Sequence, residues 1–345
     1  MRFDVAFIGF GTVGRGFADL LLEKQKYLKE ALGIEWRVVA ISDIRAGSVT
    51  SSTGIDLRDA LRLADAGKSV EGIEAEKRGL SALETIRESG ANLIIEVTWT
   101  NIKDGEPGYT HIKNALGMGK HVATTNKGPI ALHYRELMRI SSEVGGRLRF
   151  EGTVLSGTPV FNLFEGSLAA SDVSSIRGIV NGTTNLILSE MEKGRTYAEV
   201  LKEAQRMGYA EADPTMDVEG WDAAAKAAIL ANHFFGADIR PDMVSRNGIT
   251  GITLEEVTGA IKKGGRIKLL ARAWKDDSGE VRAEVSPTWL QEADPLANIG
   301  GVTNALTFNT DTLGEITIVG PGAGRRATGY ALLADLISIA KSLLS

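Results

Sequence analysis

Residues 5–28 read VAFIGFGTVGRGFADLLLEKQKYL, and the reading of this stretch decides the fold of the amino-terminal half. A short apolar run ends at Gly9-Phe10-Gly11-Thr12-Val13-Gly14, and a segment with helical apolar spacing follows. Each glycine has its own physical reason. Gly9 allows a tight turn, Gly11 lets backbone amides approach a pyrophosphate, and Gly14 lets helix and strand pack closely, with the phosphates on the helix N-terminus. A strand, this spacing and then a helix form the dinucleotide fingerprint in the context it requires.

Working outward, WRVVAISDI (36–44) reads as the next strand and ends at Ser42 and Asp43, where the ribose hydroxyls of an adenosine would be recognised. Asp43 favours NAD and Arg45 favours the extra phosphate of NADP; the interval from the glycines is long, so the sequence leaves the preference open. The alternation continues through NLIIEVTWTN (92–101) and HVATTNKGP (121–129), two strands with polar carboxyl ends. Ligands bind beyond those ends in an open parallel sheet, so Thr98, Asn126 and Lys127 are expected at the cofactor and substrate crevice. Pro129 is expected at the first position of the following helix.

The chain has 345 residues, of which 43% are hydrophobic. That length suggests two domains. A net charge of −5 without a basic stripe argues against nucleic acid as the main partner. No apolar stretch approaches the roughly 20 residues that span a bilayer, and Met1 to Phe10 alternates like a strand, so a cytoplasmic protein is expected. There is no cysteine, which excludes disulfides, thiolate metal sites and cysteine nucleophiles. His111, His121, His133 and His233 show no zinc-site spacing.

From about residue 135 the pattern changes. A helix through Met138 to Val144 leads to the strand RLRFEGTVL (147–155), then SGTPVFNLF, then the strand SIRGIVNGTTNLIL (175–188) running into a helix. The carboxyl end, EITIVGPGAG followed by ATGYALLADLISIAKSLL, reads as a strand and a helix returning to the first domain. The expected architecture is therefore an α/β Rossmann domain, residues 1–135 and 315–345, and an α+β domain, residues 136–314.

Residues 208–231, GYAEADPTMDVEGWDAAAKAAILA, crowd Glu211, Asp213, Asp217, Glu219 and Asp222 before an alanine-rich run broken by Lys226. Asp217 could serve as a helix cap, and Asp222 with Lys226 could be an ordinary i,i+4 surface pair worth roughly 0.2–0.5 kcal/mol. The small apolar neighbours on most faces favour a buried or cleft-lining lysine instead.

The motifs GFGTVG, EVTWTN, ATTNKGP, EGTVLSGTP, GIVNGTTN, GYAEADPTMDVEGWDAAAK, DPLANIGGVTNAL and GPGAG stand in one order along nearly the whole chain. In that order the sequence resembles homoserine dehydrogenase. The resemblance implies NAD- or NADP-dependent interconversion of L-homoserine and L-aspartate 4-semialdehyde by a homodimer formed through the middle domain, with no nucleic acid or membrane as partner. It implies that Glu211 binds the substrate ammonium, that Asp222 and Lys226 sit beside the reacting oxygen, and that Tyr209, Asn181, Gly182 and Thr183 line the substrate. Asp217 adds to that field or caps the helix. Lys226 is the expected proton carrier and Lys127 its electrostatic partner, although the sequence does not separate the two. The loop holding Gly320, Gly322 and Gly324 is expected to close over the nicotinamide. EGTVLSGTP resembles the family's loop for a monovalent cation (sodium or potassium), with the Glu151 carboxylate and the carbonyls of Val154, Ser156 and Thr158 as ligands; a sharp glycine-proline turn is the other reading. The ACT regulatory domain frequent in the family is not expected, and neither is threonine feedback through it. Aspartate-semialdehyde dehydrogenase, which handles the same aldehyde, needs the cysteine that is missing here. Another two-domain amino-acid dehydrogenase would not require Glu211, Asp222 and Lys226, and a catalytically silent NAD(H) sensor would have no reason to keep both lysines.

Overall fold

Strand β1 (Arg2–Ile8) buries every residue from Val5 to Ile8, as a strand with helices on both faces must. It is flanked by β2 (Glu35–Asp43), β3 (Gly47–Thr50), β4 (Lys77–Arg78), β5 (Leu93–Glu96), β6 (His121–Thr124) and β7 (Leu148–Arg149) in the order β4-β3-β2-β1-β5-β6-β7. The pairs β2-β1, β1-β5, β5-β6 and β6-β7 are parallel, while β3 and β4 form an antiparallel edge. The chain leaves β1 toward β2 on one side and later returns to β5 on the other. This reversal of strand order is where such sheets open a ligand crevice at their carboxyl ends.

The computed structural model describes residues 1–344. It divides into two compact units, one holding Met1–Asn162 and the chain from Gly324 onward, the other Leu163–Ala323. In the first unit the helix Arg325–Ser342 contributes Leu332, Leu333, Leu336 and Ile339 to the same core as Phe3, Phe7, Phe17 and Leu21. Burial of each such side chain contributes about 1.5–3 kcal/mol. The return of the last helix expected from its apolar pattern is thus found.

The expected boundaries at 135/136 and 314/315 fall elsewhere, at 162/163 and 323/324. The helix Lys127–Val144 continues through 135, and β7 then adds to the first sheet beside β6. The strand expected over 147–155 is only Leu148–Arg149, because the chain turns into the 3-10 helix Glu151–Thr153. There the buried Glu151 carboxylate accepts the amides of Val160, Phe161 and Asn162 at 2.5, 3.1 and 2.7 Å. At the other boundary, residues 315–321 pair with the second sheet, so only the helix returns.

The second unit is built on β8 (Val173–Ile179), β9 (Ser245–Arg246), β10 (Gly265–Lys275), β11 (Val281–Gln291), β12 (Thr303–Thr310) and β13 (Gly314–Pro321), ordered β13-β12-β8-β10-β11-β9. All neighbours are antiparallel except β11 with β9. Phe164, Phe234 and Phe308 pack together with centroids 4.5–5.4 Å apart. The helix Trp221–Phe235 buries every residue from Asp222 to Asn232, which explains its alanine-rich composition: small side chains let the helix lie close to the sheet.

Candidate active site

The turn after β1 follows from its glycines. Gly9 has φ +96, and a Cβ built there would meet the Val97 carbonyl oxygen at 2.6 Å. A Cβ on Gly14 would meet the Gly9 carbonyl oxygen at 2.8 Å. Gly11 differs, since no protein atom lies within 4 Å of its Cβ position. Gly9 and Gly14 are therefore required by the protein itself, whereas Gly11 faces open space at the start of the helix Thr12–Leu32, to which Thr12 and Val13 belong. That is the arrangement an anionic group approaching the helix N-terminus needs.

At the end of β2, Asp43 Oδ2 accepts the Phe10 amide at 2.7 Å, and Oδ1 accepts those of Arg45 and Ala46 at 2.7 and 2.8 Å. Burial raises the carboxyl, but these three amides outweigh it and hold Asp43 below its ordinary value. One ionised side chain therefore joins the β2 end to the glycine turn and retains acceptor capacity. Arg45 is exposed beside it. Thr98 follows β5 and donates its amide, at 3.2 Å, and its hydroxyl to Glu96 Oε1. Lys127 is the first residue of its helix, capped by Asn126, whose Oδ1 accepts the Gly128 amide at 3.3 Å. Pro129, expected at the first helical position, is therefore the third residue, because the asparagine cap starts the helix earlier.

In the second unit the acid-fronted helix holds a buried network. Lys226 Nζ donates to the Val180 carbonyl at 2.6 Å and to Asp222 Oδ2 at 2.8 Å. Asn181 Nδ2 donates to Asp217 Oδ1 at 2.7 Å and to the same Asp222 Oδ2 at 2.9 Å, while its Oδ1 caps the next helix through the Thr184 amide. Lys226 and Asp222 are 8% and 7% exposed, so the surface ion pair is set aside. Burial and the nearby Asp222 push Asp217 above its ordinary value, against the opposing pull of Asn181, Lys226 and Thr183.

Asp217 is not the cap of the long helix. It lies inside the short helix Thr215–Val218, and Gly220, at φ +78, makes the corner between the two. The left-handed residue turns the chain so that Asp217 comes back beside Asn181. Thr183 donates its hydroxyl to the Tyr209 carbonyl at 2.9 Å, and Gly182 begins the helix Gly182–Met191. Asn181, Asp217, Asp222, Lys226, Thr183 and the backbone of Tyr209 are thus brought together. Glu211 stands on the exposed loop, with its carbonyl accepting from Gln205 at 3.1 Å. The Tyr209 ring is also exposed. Gly322 packs where a Cβ would lie 2.1 Å from Asn304 Nδ2, so a packing contact within the second unit already demands glycine there.

Two participants went unread in the sequence. Asp335, fully buried in the last helix, accepts the Glu151 amide at 3.0 Å and Asn162 Nδ2 at 3.2 Å. Burial first, then the nearby Glu151, holds it well above the ordinary carboxyl value. Glu96 is buried at the end of β5. Both left the same signal, a lone acid inside an apolar run.

The model of the homoserine dehydrogenase family matches residues 159–337. An NAD(+)-dependent homoserine dehydrogenase of Pseudomonas canavaninivorans is 41% identical over 345 residues, covering 99% of this chain and 97% of that one. The chain belongs to the homoserine dehydrogenase family. Among solved structures, a putative homoserine dehydrogenase from Archaeoglobus fulgidus aligns with a TM-score of 0.87 at 38% identity, covering 98% of this chain and 99% of that one. A hyperthermophilic archaeal homoserine dehydrogenase in complex with NADPH aligns at 0.84 and 31%, covering 99% and 98%. Homoserine dehydrogenases are NAD(P)-dependent oxidoreductases. Among the described residues no helix is long and apolar enough to cross a membrane.

Proposed function

We propose that the chain interconverts L-homoserine and L-aspartate 4-semialdehyde, with the reacting oxygen at Lys226. The observation that carries this assignment is the buried Lys226-Asp222-Asn181-Asp217 network at the start of an alanine-rich helix. A nicotinamide dinucleotide supplies the hydride carrier. Gly9, Gly11, Thr12, Val13 and Gly14 would hold its pyrophosphate, Asp43 and Arg45 its adenosine end, and Thr98 and Lys127 its nicotinamide side. In the reducing direction the Lys226 ammonium would give a proton to the aldehyde oxygen, and in the oxidising direction the amine would take that proton back. Asp222 and the Val180 carbonyl fix the aim of Nζ. Glu211 and Tyr209 receive the ammonium end of the amino acid, with Thr183, Gly182 and Asn181 along its length and Asp217 adding negative field.

Glu151, with the carbonyls of Val154, Ser156 and Thr158, would hold a monovalent cation. The donor set fits: three amides leave the Glu151 carboxylate with acceptor capacity, a second buried carboxylate is close by, and Ser156 turns the backbone at φ +55. The cation would neutralise charge in this turn. A homodimer through the second unit completes the reading, and sedimentation velocity would show a mass of two chains.

Initial rates with homoserine against NAD and NADP separately test the assignment. Homoserine-dependent formation of reduced cofactor is expected; its absence with both cofactors rejects the reading and favours the silent sensor.

A further inference from the structure

Resting on that reading, we propose that Glu96 is a positioning residue that sets the ends of β5 and β6, and with them Thr98 and Lys127. Strand β5 is otherwise Leu93, Ile94 and Ile95, all fully buried, and Glu96 is as deeply buried as they are. A hydrophobe would suit that site better for stability alone, because a buried carboxylate has to be fully hydrogen-bonded to be tolerated.

The Glu96 partners form a ring. Oε1 accepts the amide and hydroxyl of Thr98. Oε2 lies 3.1 Å from Thr124 Oγ1, on the residue paired with Glu96 in the parallel ladder, and that hydroxyl also reaches the Glu96 carbonyl at 2.8 Å. Thr124 Oγ1 in turn accepts the Asn126 amide at 3.0 Å, and Asn126 Nδ2 donates to the Trp99 carbonyl at 3.3 Å, next to Thr98. The ring thus runs from Glu96 through Thr98 and Trp99 to Asn126 and Thr124 and back. Asn126 is also the cap of the helix that Lys127 begins. One carboxylate therefore fixes two adjacent strand ends relative to each other. The wall of this site is fitted to it: a Cβ on Gly108 would stand 2.6 Å from Asn126 Nδ2 and 3.2 Å from Glu96 Oε2. His111 Nδ1 lies 3.6 Å from Glu96 Oε1.

Glu96→Ala, Glu96→Gln and Thr124→Val separate positioning from mere packing. A glutamine oxygen can still accept from Thr98, and its amide can donate to Thr124, so Glu96→Gln should stay close to wild type in kcat and in cofactor Kd. Glu96→Ala should lower kcat with homoserine by up to about 10²-fold, the scale of a misplaced reacting geometry, and weaken NAD(P)H binding by calorimetry while near-UV circular dichroism stays native. A natively folded Glu96→Ala protein with wild-type kcat and Kd overturns the proposal. So does a Glu96→Gln protein as impaired as Glu96→Ala. If Glu96→Ala does not fold, Thr124→Val, which keeps the branched shape and removes one hydroxyl of the ring, decides the matter: lowered kcat supports the ring, and wild-type kinetics overturn it. Lys127→Ala serves as the control for the underlying reading. Unchanged turnover in that variant, or a wild-type protein without homoserine-dependent activity, would remove the assigned site and with it the role of Glu96, an outcome told apart from failure of the ring by an active wild type and an impaired Lys127→Ala.

Discussion

The glycine turn after β1 works by withholding side chains, whereas the start of the helix Trp221–Phe235 works by burying charged ones. At Gly11 the space around the Cβ position is open, so what a ligand would meet there is the backbone and the helix N-terminus. At Lys226 the backbone of Val180 supplies a carbonyl and Asp222 a carboxylate oxygen, and Asn181 joins that same oxygen to Asp217. The difference teaches where a mutation is felt. A backbone site is damaged by adding atoms, and a side-chain network by removing them.

The largest effect should come from removing the lysine. Lys226→Met keeps the length of the side chain but no donor, and kcat for homoserine should fall by roughly 10²–10⁴-fold, the range for a lost acid-base group. Near-normal turnover in the folded variant would break the comparison and leave Lys127 to carry the proton. The opposite operation belongs to the turn. Gly11→Val should remove measurable dinucleotide binding in calorimetry and leave circular dichroism unchanged, because the added atoms meet no protein. Gly14→Val should instead disturb the fold, since its Cβ meets the Gly9 carbonyl. Retained cofactor binding in Gly11→Val would show that this turn is not the pyrophosphate site.

A smaller change sharpens the adenosine end. Arg45→Ala is expected to weaken NADP by about tenfold, as loss of one charge-assisted hydrogen bond does, with little change for NAD. Equal losses for the two cofactors, read from separate Kd measurements, would reject Arg45 as the phosphate reader.

The smallest effect is one of stability against pH. Because Asp217 is raised above its ordinary value of 3.8 in the folded protein, its contribution to stability is fully present below about that pH and is lost as pH rises through the folded-state value. Asp217→Asn, which keeps an oxygen for Asn181, should therefore gain Tm relative to wild type at pH 7 and lose that advantage toward pH 4. A Tm difference that does not change with pH would mean that the Asp217 carboxyl is not under strain from burial and Asp222.

The two regions were also unequally legible. In GFGTVG the turn at Gly9 and the packing of Gly14 on the Gly9 carbonyl act over a few residues and appear in the structure, whereas the Val97 carbonyl that also crowds Gly9 comes from another strand end. The acid cluster gave up Lys226 and Asp222 because a lysine among alanines marks a buried face. It did not give up the place of Asp217, because whether that residue caps a helix or faces Asn181 depends on the left-handed corner at Gly220 and on a partner 36 residues back along the chain. Glu96 and Asp335 were visible as lone acids in apolar runs, but their partners lie on other strands and on the Glu151 turn.

By itself, then, the sequence determined the glycine turn after β1, the alternation that makes a parallel sheet, the return of the last helix and the burial of Lys226. All of these depend on periodicity or on steric demands within one or two turns of chain. Only the tertiary structure decided that the first unit runs on to Asn162, that Asn181 bridges two carboxylates, and that Glu96 ties β5 to β6. Those outcomes depend on which distant groups meet a buried charge, and a buried charge is tolerated only where the folded chain supplies hydrogen-bond partners that linear spacing does not specify.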